Sequence, residues 1–180
     1  MKEKKTIIIN LFGGPGSGKS TTAAGVFYNL KKRGVDVEMS LEFAKDKVWE
    51  ESFKAMENQY YIFGKQFHRL WRLVGKVDYI ITDSPILNLP VYDAEGSEKF
   101  KEFIKELNSK FINFNFFILR NPKVYIESGR IQGKEESEEI DNQILHWLEE
   151  CGEEYTPLPQ FDAVEWIVDF ILRPSGVDKK

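Results

Sequence analysis

Short β-branched apolar runs alternate along this chain with longer stretches whose apolar residues recur at helical spacing. Thr6 to Phe12 is apolar at nearly every position, the pattern of a strand buried on both faces. A glycine-rich turn follows, then a predicted helix from about Ser20 to Lys32, closed by Gly34. Val35 to Met39 reads as a second strand, and Glu42 to about Leu73 as two helices bending near Met56 to Asn58. Val77 to Thr82 is a third strand, ending at Asp83-Ser84-Pro85. Ser97 is placed to cap a helix running to Lys110, and Phe114 to Leu119 is a fourth strand. Lys134 to Cys151 reads as a charged amphipathic helix ended by Gly152, and Tyr155 to Leu158 as a weak fifth strand. Val164, Ile167, Val168 and Ile171 fall at i, i+3, i+4 and i+7 and mark a final helix.

Strands alternating with helices predict a parallel α/β sheet with right-handed crossovers. Such sheets bind ligands at the carboxyl ends of their strands. In this sequence those ends carry the glycine loop, Glu42, Asp83 and Arg120.

Gly13-Gly14-Pro15-Gly16-Ser17-Gly18-Lys19-Ser20 matches GxxxxGK[ST] in full and lies between a buried strand and a helix, as a phosphate-binding loop requires. Glycines let successive N–H groups face one anion, and the helix that follows, beginning Ser20-Thr21, aims its positive end at the same point. In such a loop Lys19 reaches the β and γ phosphates and Ser20 holds Mg²⁺, so ATP and Mg²⁺ are the expected cofactors.

The class of phosphate chemistry comes from what is missing and what accompanies the loop. Gly75-Lys76-Val77-Asp78 is the nearest string to a guanine-reading motif, but it lacks the Asn or Thr and precedes the third strand. Asp93-Ala94-Glu95-Gly96 fits DxxG but is displaced from that strand's end. A ring-forming AAA+ motor needs a larger core and a helical lid domain than 180 residues provide. A small kinase needs a carboxylate after strand three, an acceptor pocket and a cationic lid, and each has a candidate. Asp83 is the metal-organising carboxylate or the base, although an Asp before Pro85 also suits a turn or N-cap. Glu42 faces the acceptor side, or serves its helix dipole. Arg130 and Lys134 belong to a Gly-flanked stretch at 128–134, which reads as a lid bringing a cation to the transferring group; for Lys134 a solvated helix face is the simpler reading.

Eight aromatic residues, from Phe43 to Trp71, crowd one region; most are expected in the core, with one or two free to stack on a planar acceptor. Gln59 is placed to read a base or sugar edge. His68, His146 and Cys151 lack metal-ligand spacing and read as surface or packing residues.

Composition narrows the setting. With 42% hydrophobic, 14% aromatic and 30% charged residues the chain is globular rather than disordered, and its 180 residues suit one domain over 1–180. One cysteine rules out an intrachain disulfide and fits a reducing, cytoplasmic setting. No apolar run approaches a bilayer span of ~20 residues, and the start of the chain does not read as a signal peptide. A net charge of −4 argues against gripping nucleic acid by charge alone.

These residues together resemble the P-loop small-molecule kinases, over residues 6 to about 172. The pattern is most similar to the nicotinamide-riboside kinase domain of bifunctional bacterial NAD-salvage proteins: the P-loop, then Glu42-Phe43-Ala44-Lys45-Asp46, then Gln59, then Asp83-Ser84. It also looks like small phage-encoded ATP-binding proteins that carry a generic AAA label. From Leu119-Arg120 through Pro122, Arg130 and Glu135-Glu136 it resembles deoxynucleoside kinases. It departs from these in having one lid arginine plus Lys134, and Asp83-Ser84-Pro85 where nucleoside and thymidylate kinases have Glu-Arg or Asp-Arg.

The resemblance implies a three-layer P-loop fold with a five-stranded parallel sheet in the order 2-3-1-4-5. It implies γ-phosphoryl transfer from ATP to a nucleoside-like small molecule, with Arg120 beside the nucleotide and Lys19, Asp83, Glu42 and Arg130 in the chemistry. A nucleotide or modified-base kinase and an ATP-dependent switch acting on a protein partner stay open, as does a homodimer.

Overall fold

The computed structural model describes residues 4–93, 96–121 and 134–173. Five parallel strands form one sheet in the order β2-β3-β1-β4-β5. They are β1 (Ile7–Phe12), β2 (Val37–Ser40), β3 (Tyr79–Thr82), β4 (Ile112–Leu119) and β5 (Thr156–Pro159). The helices are α1 (Lys19–Lys32), α2 (Phe43–Trp49), α3 (Phe53–Met56), α4 (Gln59–Trp71), α5 (Glu98–Asn108), α6 (Lys134–Glu150) and α7 (Ala163–Leu172), with a 3₁₀ helix at Ile86–Tyr92. The expected sheet and its expected strand order are both present.

The period of two along β1 divides the core. Ile8 and Phe12 face one layer with Ile80 and Phe117, against Ile62, Phe63, Leu87, Ile104 and Ile144 from the helices on that side. Ile9 and Leu11 face the other with Ile81, Phe116 and Ile118, against α1 and α7. Burying each such side chain contributes about 1.5–3 kcal/mol. Asn10 is the polar break in β1, and its amide nitrogen donates to Asn113 Oδ1 (3.0 Å) and Asn115 Oδ1 (2.9 Å) on the adjacent strand. The two asparagines that interrupt the apolar run of β4 are thus its hydrogen-bond partners, Asn115 buried and Asn113 half-buried. On the α1 surface Gly25 lets α7 approach, since a Cβ there would lie 2.8 Å from Val164 Cγ2.

Boundaries depart from expectation where local bonds compete with the ladder. Val35 does not open β2, because its N–H closes α1 by donating to Leu30 O (3.1 Å) after Gly34 turns at φ 76°. The predicted pair of helices after Glu42 is three: Glu51 adopts φ 53° between α2 and α3, and Asn58 caps α4 by accepting from Tyr61 N (3.1 Å). The 3₁₀ helix is absent from the sequence reading, since Pro85 and Pro90 disrupt any 3.6-residue period there.

The aromatic region also differs. Phe43 and Phe63 are buried and Phe67 packs against them, but Trp49, Phe53, Tyr60, Tyr61 and Trp71 are exposed. Helices of seven and four residues bury little of their circumference, so α2 and α3 form a wall at the strand ends. His146 lies exposed, 3.4 Å from Glu150 on its own helix, and Cys151 is half-buried, its thiol pushed up to about 11 by burial.

Candidate active site

The loop after β1 turns through positive φ at Gly13 (134°), Gly16 (81°) and Gly18 (99°), values that L side chains seldom adopt. A Cβ on Gly13 would sit 2.6 Å from Ser17 Oγ, so the loop also coils too tightly for any other residue. The helix ladder of α1 begins with Thr22 N donating to Gly18 O (2.9 Å). The amides of Lys19, Ser20 and Thr21 therefore belong to the open first turn of the helix, where N–H groups have no intrahelical acceptor. All three residues line the cleft. Lys19 Nζ rests on Gly14 O at 2.8 Å.

β3 lies directly beside β1, pairing Asn10 with Thr82, so Asp83 emerges next to the loop. Asp83 is 3% exposed, and its Oδ1 accepts the backbone N–H of Glu42 at 3.0 Å. That bond ties the end of β3 to the residue before α2. The next amide, Phe43 N, donates to Gln66 Oε1 at 2.9 Å, and Gln66 is 1% exposed. Two successive amides are thus held by side chains from two different elements, which fixes the direction in which Glu42 leaves the backbone.

A cavity of about 550 Å³ joins these parts. Pro15, Gly16, Gly18, Lys19, Ser20 and Thr21 line one end, and Glu42, Gln59, Asp83, Asn88 and Tyr92 contribute polar groups to the rest. Phe53, Met56, Ile62 and Leu89 supply the apolar surface. Its volume is that of a small-molecule site. The electrostatics follow from burial. Desolvation lowers the Lys19 pKa, opposed by the carboxylates of Glu42, Asp83 and Asp141. Desolvation raises the Glu42 pKa, opposed by Lys19 and reinforced by Asp83. Tyr92 is likewise raised by burial and by Glu42, so it stays a neutral hydroxyl.

Ser20 and Asp83 place hard oxygen donors in the same cavity as the open amides of α1's first turn, a donor set that fits Mg²⁺. Among the described residues no cluster of three or more His, Cys, Asp or Glu residues could hold a metal by itself. An ion here would share its coordination with phosphate oxygens.

The cavity brings together the expected Lys19, Ser20, Thr21, Glu42, Asp83 and Gln59, the last donating through Nε2 to Met56 O at 2.8 Å. Arg120 lies behind the loop instead. Its Nη1 donates to Pro15 O (2.7 Å) and its Nη2 to Ser137 O (3.2 Å), while Nε (3.1 Å) and Nη2 (2.8 Å) also bond Asp141 Oδ2. Asp141 Oδ1 accepts Gly14 N–H, so this ion pair clamps the P-loop to α6. Arg130 and the rest of the expected lid through Gly133 fall outside the described residues.

Four residues were not anticipated. Gln66 falls four residues from Ile62 and Leu70 on the apolar face of α4, and a polar residue in that register was the available signal. Asp141 stands likewise one position after Ile140 in a glutamate-rich helix, where nothing distinguishes it in sequence. Asn88 and Tyr92 ride on the unpredicted 3₁₀ helix.

A family model described as an AAA domain matches residues 8–165. The chain belongs to that AAA-domain family. Among curated proteins none matches the sequence. Among solved structures, deoxyadenosine kinase from M. mycoides with bound dATP is similar with a TM-score of 0.57 at 16% identity, over 91% of this chain and 98% of that one. NadR protein in complex with NR is similar with a TM-score of 0.67 at 17% identity, over 98% of this chain and 53% of that one, so this member of the AAA-domain family spans about half of NadR. Thymidylate kinase from Ehrlichia chaffeensis gives a TM-score of 0.60 at 14% identity, over 93% and 98%. At these identities the likeness is one of fold, and the fold is that of the P-loop kinases.

Proposed function

We propose that this AAA-domain protein is an ATP-dependent phosphotransferase acting on the hydroxyl of a nucleoside-like small molecule. The observation that carries the reading is the Glu42–Asp83 pair, held by one hydrogen bond and facing the P-loop across a single cavity of about 550 Å³. A phosphate-binding switch needs the loop; it does not need a second carboxylate with a raised pKa in a cavity beside it. Two proteins of similar fold, deoxyadenosine kinase with bound dATP and NadR in complex with NR, support the substrate class.

In the proposed reaction the acceptor oxygen bonds to the γ phosphorus as the bond from that phosphorus to the β–γ bridging oxygen breaks, and ADP leaves. The acceptor proton passes to the Glu42 carboxylate, whose raised pKa suits a base. Lys19 and the amides of α1's first turn take up the charge that develops on the phosphoryl oxygens. Ser20 and Asp83 would hold Mg²⁺, which when bound neutralises phosphate charge. Arg120 and Asp141 keep the loop in shape from behind. Arg130 is proposed as the further cation, and Arg130→Ala should then lower turnover more than it weakens ATP binding.

The test is a screen of nucleosides, nicotinamide riboside and nucleoside monophosphates with Mg-ATP, read by product mass. A product heavier by one phosphoryl group, absent with Lys19→Ala, is the expected result. ATP loss stimulated only by added protein, with no phosphorylated small molecule, would overturn it.

A further inference from the structure

The charged side chains that line the cavity are Lys19, Glu42, Lys45, Glu57 and Asp83. All but one are accounted for. Lys19 rests on the P-loop, Asp83 holds the Glu42 amide, Glu42 is the proposed base, and Glu57 pairs with Lys54. Lys45 is left over. It is exposed where the cavity opens to solvent, and its ammonium makes no hydrogen bond or ion pair among the described residues.

Neighbouring cations are matched, and the matching leaves Lys45 without an acid. Lys47 pairs with Glu50 and Arg69 with Asp46, so the carboxylate next to Lys45 in sequence turns away to α4. Residues three and four positions apart meet on a helix face. For Lys45 these are Leu41, Glu42, Val48 and Trp49, of which only Glu42 is acidic. Glu42 feels Lys45 less than it feels Lys19.

The position of Lys45 says which end of a ligand it meets. Lys19 and the open amides of α1 stand at the P-loop end of the cavity, whereas Lys45 stands on α2 with Val48, beyond Glu42. Three residues along a helix separate Cβ atoms by about 5–6 Å, and the lysine stem reaches further. A group held by Lys45 therefore belongs to the same small molecule as the hydroxyl at Glu42 without being that hydroxyl. A free ammonium offers three donors and a full charge, which suits an anionic oxygen group.

We propose that Lys45 binds an anionic oxygen group of the acceptor, a carboxylate or a phosphate ester set apart from the hydroxyl that is phosphorylated. The proposal rests on the phosphotransferase reading and narrows its substrate class to nucleoside-like molecules that carry negative charge.

Matched ligand pairs test this in the full chain with Mg-ADP present. Nicotinate riboside against nicotinamide riboside tests a carboxylate, and adenosine 3′-monophosphate against adenosine tests a phosphate ester; each keeps a free 5′-hydroxyl. Binding is read by calorimetry and turnover by product mass with Mg-ATP. For at least one pair the wild type should prefer the charged member by about 3- to 30-fold, between an exposed ion pair and a desolvated charge-assisted hydrogen bond. Lys45→Met keeps the length of the side chain and should bring that ratio to about one by weakening the charged member alone. Lys45→Glu should reverse the preference. Both changes fall at an exposed position, and melting temperature checks that each variant folds.

Equal binding within both pairs by the wild type, or tighter binding of the neutral members, overturns the assignment. So does a ratio unchanged in Lys45→Met. A Lys45→Met protein that slows both members of a pair alike would also overturn it, because the lysine would then act only through Glu42. A ratio that collapses in Lys45→Met without any phosphorylated product would uphold Lys45 as the anion-binding residue and sink the phosphotransferase reading. Product formation with an unchanged ratio would do the reverse.

Discussion

Replacing Gln66 by leucine should unfasten Glu42, the proposed base, without touching the cavity wall. Gln66 Oε1 accepts the N–H of Phe43 at 2.9 Å, deep in the core, and leucine offers no acceptor at similar volume. The orphaned amide should cost about 1–3 kcal/mol. For a domain of this size each kcal/mol moves Tm by about 2–4 °C, so the variant should melt roughly 2–12 °C lower. Phe43 is the residue after Glu42, and the Glu42 amide keeps only its bond to Asp83. The carboxylate should therefore lose its fixed direction, and misplacement of a reacting group by an ångström can cost as much as ~10²-fold in rate. We expect kcat to fall at least about tenfold, with KM for ATP within twofold, since the Gln66 side chain bonds Phe43 N and Ser40 Oγ rather than the P-loop. Calorimetry gives the stability change and steady-state kinetics the split. A Gln66→Leu protein that melts within 1 °C of wild type and turns over normally would refute the view that this bond positions Glu42.

Three further outcomes follow from the same geometry. Lys19→Ala should fold normally and lose about 10²-fold or more in phosphoryl transfer, the scale of a transition-state charge stabiliser; activity within threefold of wild type would sink the assignment of the loop. Asp83→Asn should raise the Mg²⁺ concentration needed for half-maximal turnover, whereas Glu42→Gln should impair acceptor use and leave ATP binding intact; equal loss of ATP affinity in both would show the roles wrongly divided. The pH dependence has a definite sign, because burial and Asp83 raise the Glu42 pKa while Lys19 and Lys45 oppose. Turnover should rise with pH through that raised value, and Glu42→Gln should remove this limb. Between the ordinary carboxylate value of about 4.3 and the raised one the folded state binds more protons than the unfolded, so wild-type stability relative to Glu42→Gln should decline as pH rises through that window. A gap in Tm that widens in favour of wild type with rising pH would contradict it.

The sequence by itself determined the layered sheet and one end of the site. The apolar runs are buried strands because each needs cover on both faces, and helices of the right length follow each one. GGPGSGKS announces its own geometry, since its glycines are needed for a backbone shape that any phosphate loop shares. Glu42 and Asp83 were visible for a similar reason, as carboxylates at strand ends, where parallel sheets place their ligands. What tertiary structure decided is which side chains complete these parts. Gln66 lies twenty-three residues beyond the amide it accepts, Asp141 lies far from Gly14, and Arg120 turns to the back of the loop because Asp141, Ser137 O and Pro15 O meet it there. Asn88 became a cavity residue only through a 3₁₀ helix that two prolines hide from any periodic pattern. Periodicity reports the face a residue presents within its own element, and a pairing between elements depends on how those faces dock. That docking is settled by the packing of the whole core, so no single window of the chain contains it.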